Sequence, residues 1–113
     1  AGTGNALNNL IKGNTAANTL NGGADGNDTL DGGSGIDTMV GGIGNDTIDA
    51  GTGDDTVNAD AGDDVVYAGD GNDTVHAGSG NDQVFGDAGN DLIFGYDGND
   101  TISGGDGADI GSW

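Results

Sequence analysis

A large aliphatic residue recurs along this chain at intervals of nine, with a single interval of ten. The series is Ile11, Leu20, Leu30, Met39, Ile48, Val57, Val66, Val75, Val84, Ile93 and Ile102. Gly, Asn, Asp and Thr fill most of the intervals. A piece such as Thr47-Ile48-Asp49 reads as a short strand with its middle side chain turned inward. Thr is the commonest residue just before the aliphatic one, where a β-branched side chain suits a strand. The six Gly-rich residues ahead of each strand must turn, since glycine allows positive φ and close backbone approach. One strand and one turn make half a coil, so two units close a coil, and coils stack at the ~4.8 Å spacing of paired strands. The expected fold is all-β: a parallel β-roll, or two-sheet right-handed β-solenoid, of about six coils and about 30 Å in height.

Written in nines from Gly32, the chain reads GGSGIDTMV, GGIGNDTID, AGTGDDTVN and onward to GGDGADIGS, with Trp113 left over. The fourth position is Gly in ten consecutive units: Gly26, Gly35, Gly44, Gly53, Gly62, Gly71, Gly80, Gly89, Gly98 and Gly107. The sixth is Asp in the same ten: Asp28, Asp37, Asp46, Asp55, Asp64, Asp73, Asp82, Asp91, Asp100 and Asp109. Two earlier units, GNALNNLIK (4–12) and GNTAANTLN (13–21), put Leu7 and Ala16 at the fourth position and Asn9 and Asn18 at the sixth. Residues 1–21 are therefore expected to form a degenerate capping coil that binds ions weakly or not at all, and 22–113 the body of the repeat. Asp60, Asp87 and Tyr96 replace Gly at the second position, where Asp tolerates a left-handed backbone better than Tyr. Gly111 stands where the last unit needs its core residue, so the stack is expected to end or hand over there.

Composition makes this regularity harder to explain. Of 113 residues 27 are Gly, all 20 acids are Asp, and Lys12 is the only strong base, giving a formal net charge of −19. High charge with few large apolar groups usually means disorder. One buried aliphatic side chain contributes roughly 1.5–3 kcal/mol, whereas ordering each residue of a unit costs on the order of 1–2 kcal/mol. The charge sign argues against nucleic acid as a partner. No apolar run is long enough for a membrane helix. Without Cys there is neither disulfide nor thiolate site. No signal peptide is read in the segment, and the missing initiator Met suggests a piece of a longer protein. No nucleophile–base set, HExxH or phosphate loop is present, so no catalytic residues are assigned and the segment is not read as an enzyme.

What remains is to neutralise two columns of aspartates stacked at coil spacing. Ca²⁺ takes 6–8 oxygen ligands from carboxylates and backbone carbonyls, both of which an Asp beside a Gly-rich turn offers. Mg²⁺ demands stricter octahedral geometry and keeps its waters. Zinc would want His or Cys, and the chain has only His76. An EF-hand closes with a bidentate Glu, and the chain has none.

The unit GGxGxDxUx resembles the repeats-in-toxin (RTX) nonapeptide over roughly residues 4–112. The resemblance implies ions held between one turn and the turn two units on, by sixth-position aspartates and by backbone carbonyls, assigned here to the fourth-position glycines named above. It pairs Asp28/Asp46, Asp46/Asp64, Asp64/Asp82 and Asp82/Asp100 in one column. In the other it pairs Asp37/Asp55, Asp55/Asp73, Asp73/Asp91 and Asp91/Asp109. Eight Ca²⁺ ions follow, and their sixteen positive charges would bring −19 to −3. The resemblance further implies a secreted, extracellular or cell-surface protein exported by type I secretion. The segment would be a structural module that folds on calcium outside the cell and stabilises adjacent domains of the same chain. Outward positions carry Val65, Tyr67 and Phe85 on one sheet and His76, Leu92, Phe94 and Ile110 on the other. Stacked ladders are the plain expectation there. The alternative is a carbohydrate- or surface-binding face, or self-association, through Tyr67, Phe85 and Phe94.

Overall fold

A computed structural model describes residues 2–112; Ala1 and Trp113, the outer ends of the two expected segments, lie outside it. Thirteen strands and no helix are found among the described residues. Short three-residue strands lie at Leu10–Lys12 (β2), Thr29–Asp31 (β4), Thr47–Asp49 (β6), Val65–Tyr67 (β8), Gln83–Phe85 (β10) and Thr101–Ser103 (β12). They pair in parallel as one six-stranded sheet, each strand beside the one a full coil away. Facing it is a seven-stranded sheet of Gly2–Thr3 (β1), Thr19–Asn21 (β3), Thr38–Ile43 (β5), Thr56–Ala61 (β7), Thr74–Ser79 (β9), Leu92–Asp97 (β11) and Ile110–Ser112 (β13). The register keeps like positions together: Ile48 pairs with Val66, and Met39 with Val57. The inserted residue of the unit at 22–31 is absorbed at a turn, because Leu20 still pairs with Met39. The result is the expected parallel β-solenoid of about six turns.

Strand length is not the uniform three residues expected. On the seven-stranded side β5, β7, β9 and β11 run on for six, through the first three positions of the next unit. On the other side those positions make only isolated bridges, such as Ser34 to Thr52 and Thr52 to Asp70.

Two sheets enclose a thin apolar layer in a body measuring 36 × 33 × 12 Å. Leu20, Leu30, Met39, Ile48, Val57, Val66, Val75, Val84 and Ile93 are buried there, with Ile11 and Ile102 partly buried at the ends. First-position Ala50, Ala59, Ala68 and Ala77 are also fully buried, so each middle unit turns two side chains inward instead of one. At the C-terminal end Gly111 pairs with Ile93 and lines a cavity of about 380 Å³ with Ile93 and Ile102.

Outward side chains stack along the coils. Tyr67 lies on Phe85 at 5.2 Å between ring centroids, and His76 on Phe94 at 5.0 Å. Asp60, Asp87 and Tyr96 all adopt left-handed φ, at 78°, 71° and 70°. Tyr96 is held there by its hydroxyl, 2.8 Å from His76 Nδ1.

Candidate metal centres

Each sixth-position Asp sits at the last turn residue before a strand, where the chain passes from one sheet to the other. Parallel stacking therefore lines up Asp28, Asp46, Asp64, Asp82 and Asp100 along the entrances to the six-stranded sheet. Asp37, Asp55, Asp73, Asp91 and Asp109 line the entrances to the seven-stranded one. All but Asp100 and Asp109 are buried, with at most 2% of their surface exposed.

Within each column one carboxylate oxygen is satisfied. Oδ1 of every Asp from Asp46 to Asp109 accepts the backbone N–H of the Asp one coil earlier, at 2.7–3.0 Å. These eight contacts run between the same eight pairs of residues that the RTX resemblance implied. Asp28 and Asp37 reach back in the same way to the amides of Asn9 and Asn18.

The other oxygen has no partner. Oδ2 is buried and unbonded in Asp28, Asp37, Asp46, Asp55, Asp64, Asp73, Asp82, Asp91 and Asp100. An unpaired buried charge costs several kcal/mol, roughly, and native proteins pair such groups or place them on metals. The titration behaviour reports the same conflict. Burial first, then repulsion from neighbouring aspartates in the stack, raises Asp64 and Asp73 from 3.8 to about 7 and Asp55 to about 6. Asp46, Asp82 and Asp91 are raised for the same leading reason. In each case the amide donated by the preceding coil opposes the rise without cancelling it.

Backbone oxygens are the other donors at hand beside the carboxylates. Among the described residues no three Asp or His side chains converge, so a cation here must draw on the main chain as well. The fourth-position carbonyls lie outside the strands and accept no backbone N–H. Gly44 shows why that position excludes side chains beyond the first coil: its φ is +132°, and a Cβ would collide with the carbonyl oxygen of Gly26 one coil below. Beside the first position a second convergence occurs. A Cβ on Gly41 would stand 2.6 Å from Asp46 Oδ2 and 2.7 Å from the carbonyl oxygen of Ala59. Orphaned carboxylate oxygens with main-chain carbonyls close by offer a hard, all-oxygen, anionic donor set that suits Ca²⁺ and offers nothing to a thiophilic metal.

Two features escaped the sequence reading. Fifth-position side chains form a ladder of their own: Asn27 Oδ1 accepts the amide of Asn45, Asn45 that of Asp63, and Asp63 that of Asn81. The opposite edge repeats this through Asp54, Asn72 and Asn90. The signal was the Asn or Asp at nine of the twelve fifth positions, Ala17, Ile36 and Ala108 being the others. The second feature is the hydrogen bonding of Asn5 and Asn14 in the first coil.

A parallel β-solenoid whose edges carry two columns of unpaired buried aspartates is, by fold and chemistry, a cation-binding repeat protein. The RTX calcium-binding nonapeptide repeat, as a four-copy family pattern, matches residues 3–39, 23–57, 40–75, 49–84 and 76–110. The chain belongs to that family, whose repeats bind calcium. No curated protein matches the chain.

Proposed function

We propose that this segment is a calcium-dependent folding module that stabilises or orients a larger extracellular protein, with about eight Ca²⁺ ions in its two aspartate columns. The observation carrying this reading is the nine buried Oδ2 atoms that have no partner. Asp28 to Asp109 at the sixth position supply the carboxylates, and Gly26 to Gly107 at the fourth supply carbonyl oxygens. Bound calcium would supply positive charge where Oδ2 atoms and carbonyls face one another. The chain's own part is to hold those oxygens in place: ten bonds from backbone amides, eight from Asp and two from Asn9 and Asn18, fix the ten carboxylates, and left-handed glycines aim the carbonyls. Because an interior Asp such as Asp64 has a stacking partner on each side, one residue serves two sites, and binding is cooperative. Ions that bind only the folded state stabilise it by mass action, so low calcium leaves the chain disordered and millimolar calcium folds it. Calcium poor inside a cell and abundant outside then fits export before folding. Calcium titration of the segment, followed by far-UV circular dichroism, should convert coil to β-structure cooperatively. No conversion up to several millimolar would end this reading.

A second reading assigns the outer faces to carbohydrate, surface or self contact. It rests on Tyr67, 42% exposed beside Phe85, at the end of a shallow groove of about 370 Å³ floored by Thr29 and Thr47. A glycan array probed in calcium tests it, with a hit expected to vanish in Tyr67→Ala.

A further inference from the structure

The first coil closes its turns by a device used in no other coil among the described residues. Both of its second positions carry Asn instead of Gly, and both of its sixth positions carry Asn instead of Asp. In one turn Asn14 donates its amide to Asn18 Oδ1 at 2.7 Å, and Asn18 Nδ2 donates back to Asn14 Oδ1 at 3.2 Å. Asn14 Oδ1 also accepts the amide of Ala16 at 2.9 Å. Asn5, Asn9 and Leu7 repeat the arrangement at the same distances. Each clasp is neutral and leaves no orphaned side-chain oxygen, so the side chains of these two turns need no ion. The following turn docks on this surface through three further bonds. Asn9 N–H reaches Asp28 Oδ1, Asn27 N–H reaches Asn8 Oδ1, and Thr29 N–H reaches the carbonyl of Asn9, each at 2.8 Å.

We infer that residues 4–21 are a calcium-independent template, and that the roll orders from this end toward the C-terminus as calcium is added. This inference rests on the calcium reading above. A solenoid can nucleate at any repeat, because each contacts only its neighbours. A turn stacking on the clasped coil orders only itself, whereas a turn nucleating in mid-stack must order two acidic partners at once. The clasps therefore bias where growth begins.

Hydrogen exchange along the full chain at sub-saturating calcium tests this. Protection around Leu20, Leu30 and Met39 should appear at lower calcium than protection around Val84, Ile93 and Ile102. In the double variant Asn9→Asp with Asn18→Asp the ligand-type residue returns and the clasp donor is lost. There, ordering of 19–40 should need at least twofold more calcium, and its lead over the C-terminal coils should disappear. Asn5→Gly with Asn14→Gly, which restores the common glycine, should weaken the lead in the same direction. Protection arising first at the C-terminal end or simultaneously throughout, or variants that keep the wild-type lead, would overturn the template. A wild-type chain that gained no protection in calcium would overturn both this and the calcium reading.

Discussion

Replacing Asp64 by Asn should act in opposite directions with and without calcium. Asp64 is 1% exposed; its Oδ1 accepts the Asp46 amide at 2.8 Å, and its Oδ2 has no partner. Burial, with repulsion from Asp46, Asp82 and Asp60, raises it from 3.8 to about 7. A carboxyl raised on folding gives stability that is whole below the unfolded value of 3.8 and is lost as pH climbs through about 7. At pH 8 the ionised form burdens the metal-free fold by about three pH units, or about 4 kcal/mol at ~1.4 kcal/mol per unit. Asn keeps the Oδ1 acceptor and removes the charge. Asn18 shows that the place accepts an amide, since its Nδ2 reaches Asn14 four residues back, and Asp60 stands in the same relation to position 64. In chelator at pH 8, Asp64→Asn should therefore favour the ordered state by up to about 4 kcal/mol. In calcium the same change removes a carboxylate shared by two sites, so the folding midpoint should move to higher calcium and the transition should broaden. Circular dichroism at matched calcium and chelator concentrations reads both arms. A variant whose calcium midpoint is unchanged, or which is less ordered than wild type in chelator, would refute the assignment of Asp64.

Acid should partly replace calcium: in chelator, β-structure should grow as pH falls from 8 toward 5, because Asp64 and Asp73 protonate near 7 and Asp55 near 6; a pH series by circular dichroism checks it. Ile36→Asn should stabilise the folded state by about 1 kcal/mol in calcium-saturated chemical denaturation. Ile36 is an exposed apolar residue in the fifth-position ladder, and the Asp54 amide one coil on lacks the side-chain acceptor that its counterparts have. Gly44→Ala should raise the calcium midpoint severalfold, since its left-handed φ and the carbonyl of Gly26 leave no room for a methyl group. Ile48→Ala, wholly within the core, should cost about 2–5 kcal/mol in calcium-saturated unfolding.

Sequence carried the period and therefore the register. Once Ile48 is known to stand eighteen residues from Val66 and Leu30, two units per coil place all three on one sheet and stack Asp46 on Asp28 and Asp64. Ala50 was within reach of alternation, standing two residues past inward-facing Ile48 as Ala59 stands past Val57; the expectation that each strand stops after three residues hid it. What the sequence did not carry was anything depending on how a turn is rotated, and the asparagines are illegible for that reason. Asn9 and Asn18 read as defective ligands, and only the bonds to Asn5 and Asn14 show them as working parts of a different closure. Tyr96 is the converse case: the strain of a left-handed Tyr was foreseeable, while the contact of its hydroxyl with His76, twenty residues away, was not.

The two side-chain ladders divide the work of specifying this fold. At the fifth position each oxygen points forward, Asn27 to the amide of Asn45; at the sixth it points backward, Asp46 to the amide of Asp28. A turn is thus gripped from both sides, and a slip of one residue would break both grips at once. The forward ladder is exposed and largely uncharged, so it sets the spacing whether or not metal is present. The backward ladder is anionic and buried but for its last members, and nine of its aspartates keep an unpartnered Oδ2 that opposes folding. Register is therefore written in the chain, while on the proposed reading the decision to fold is deferred to an ion. That separation follows from burying the acid and exposing the amide; exchanging the two positions would leave a solenoid with the same hydrogen bonds and little need for calcium.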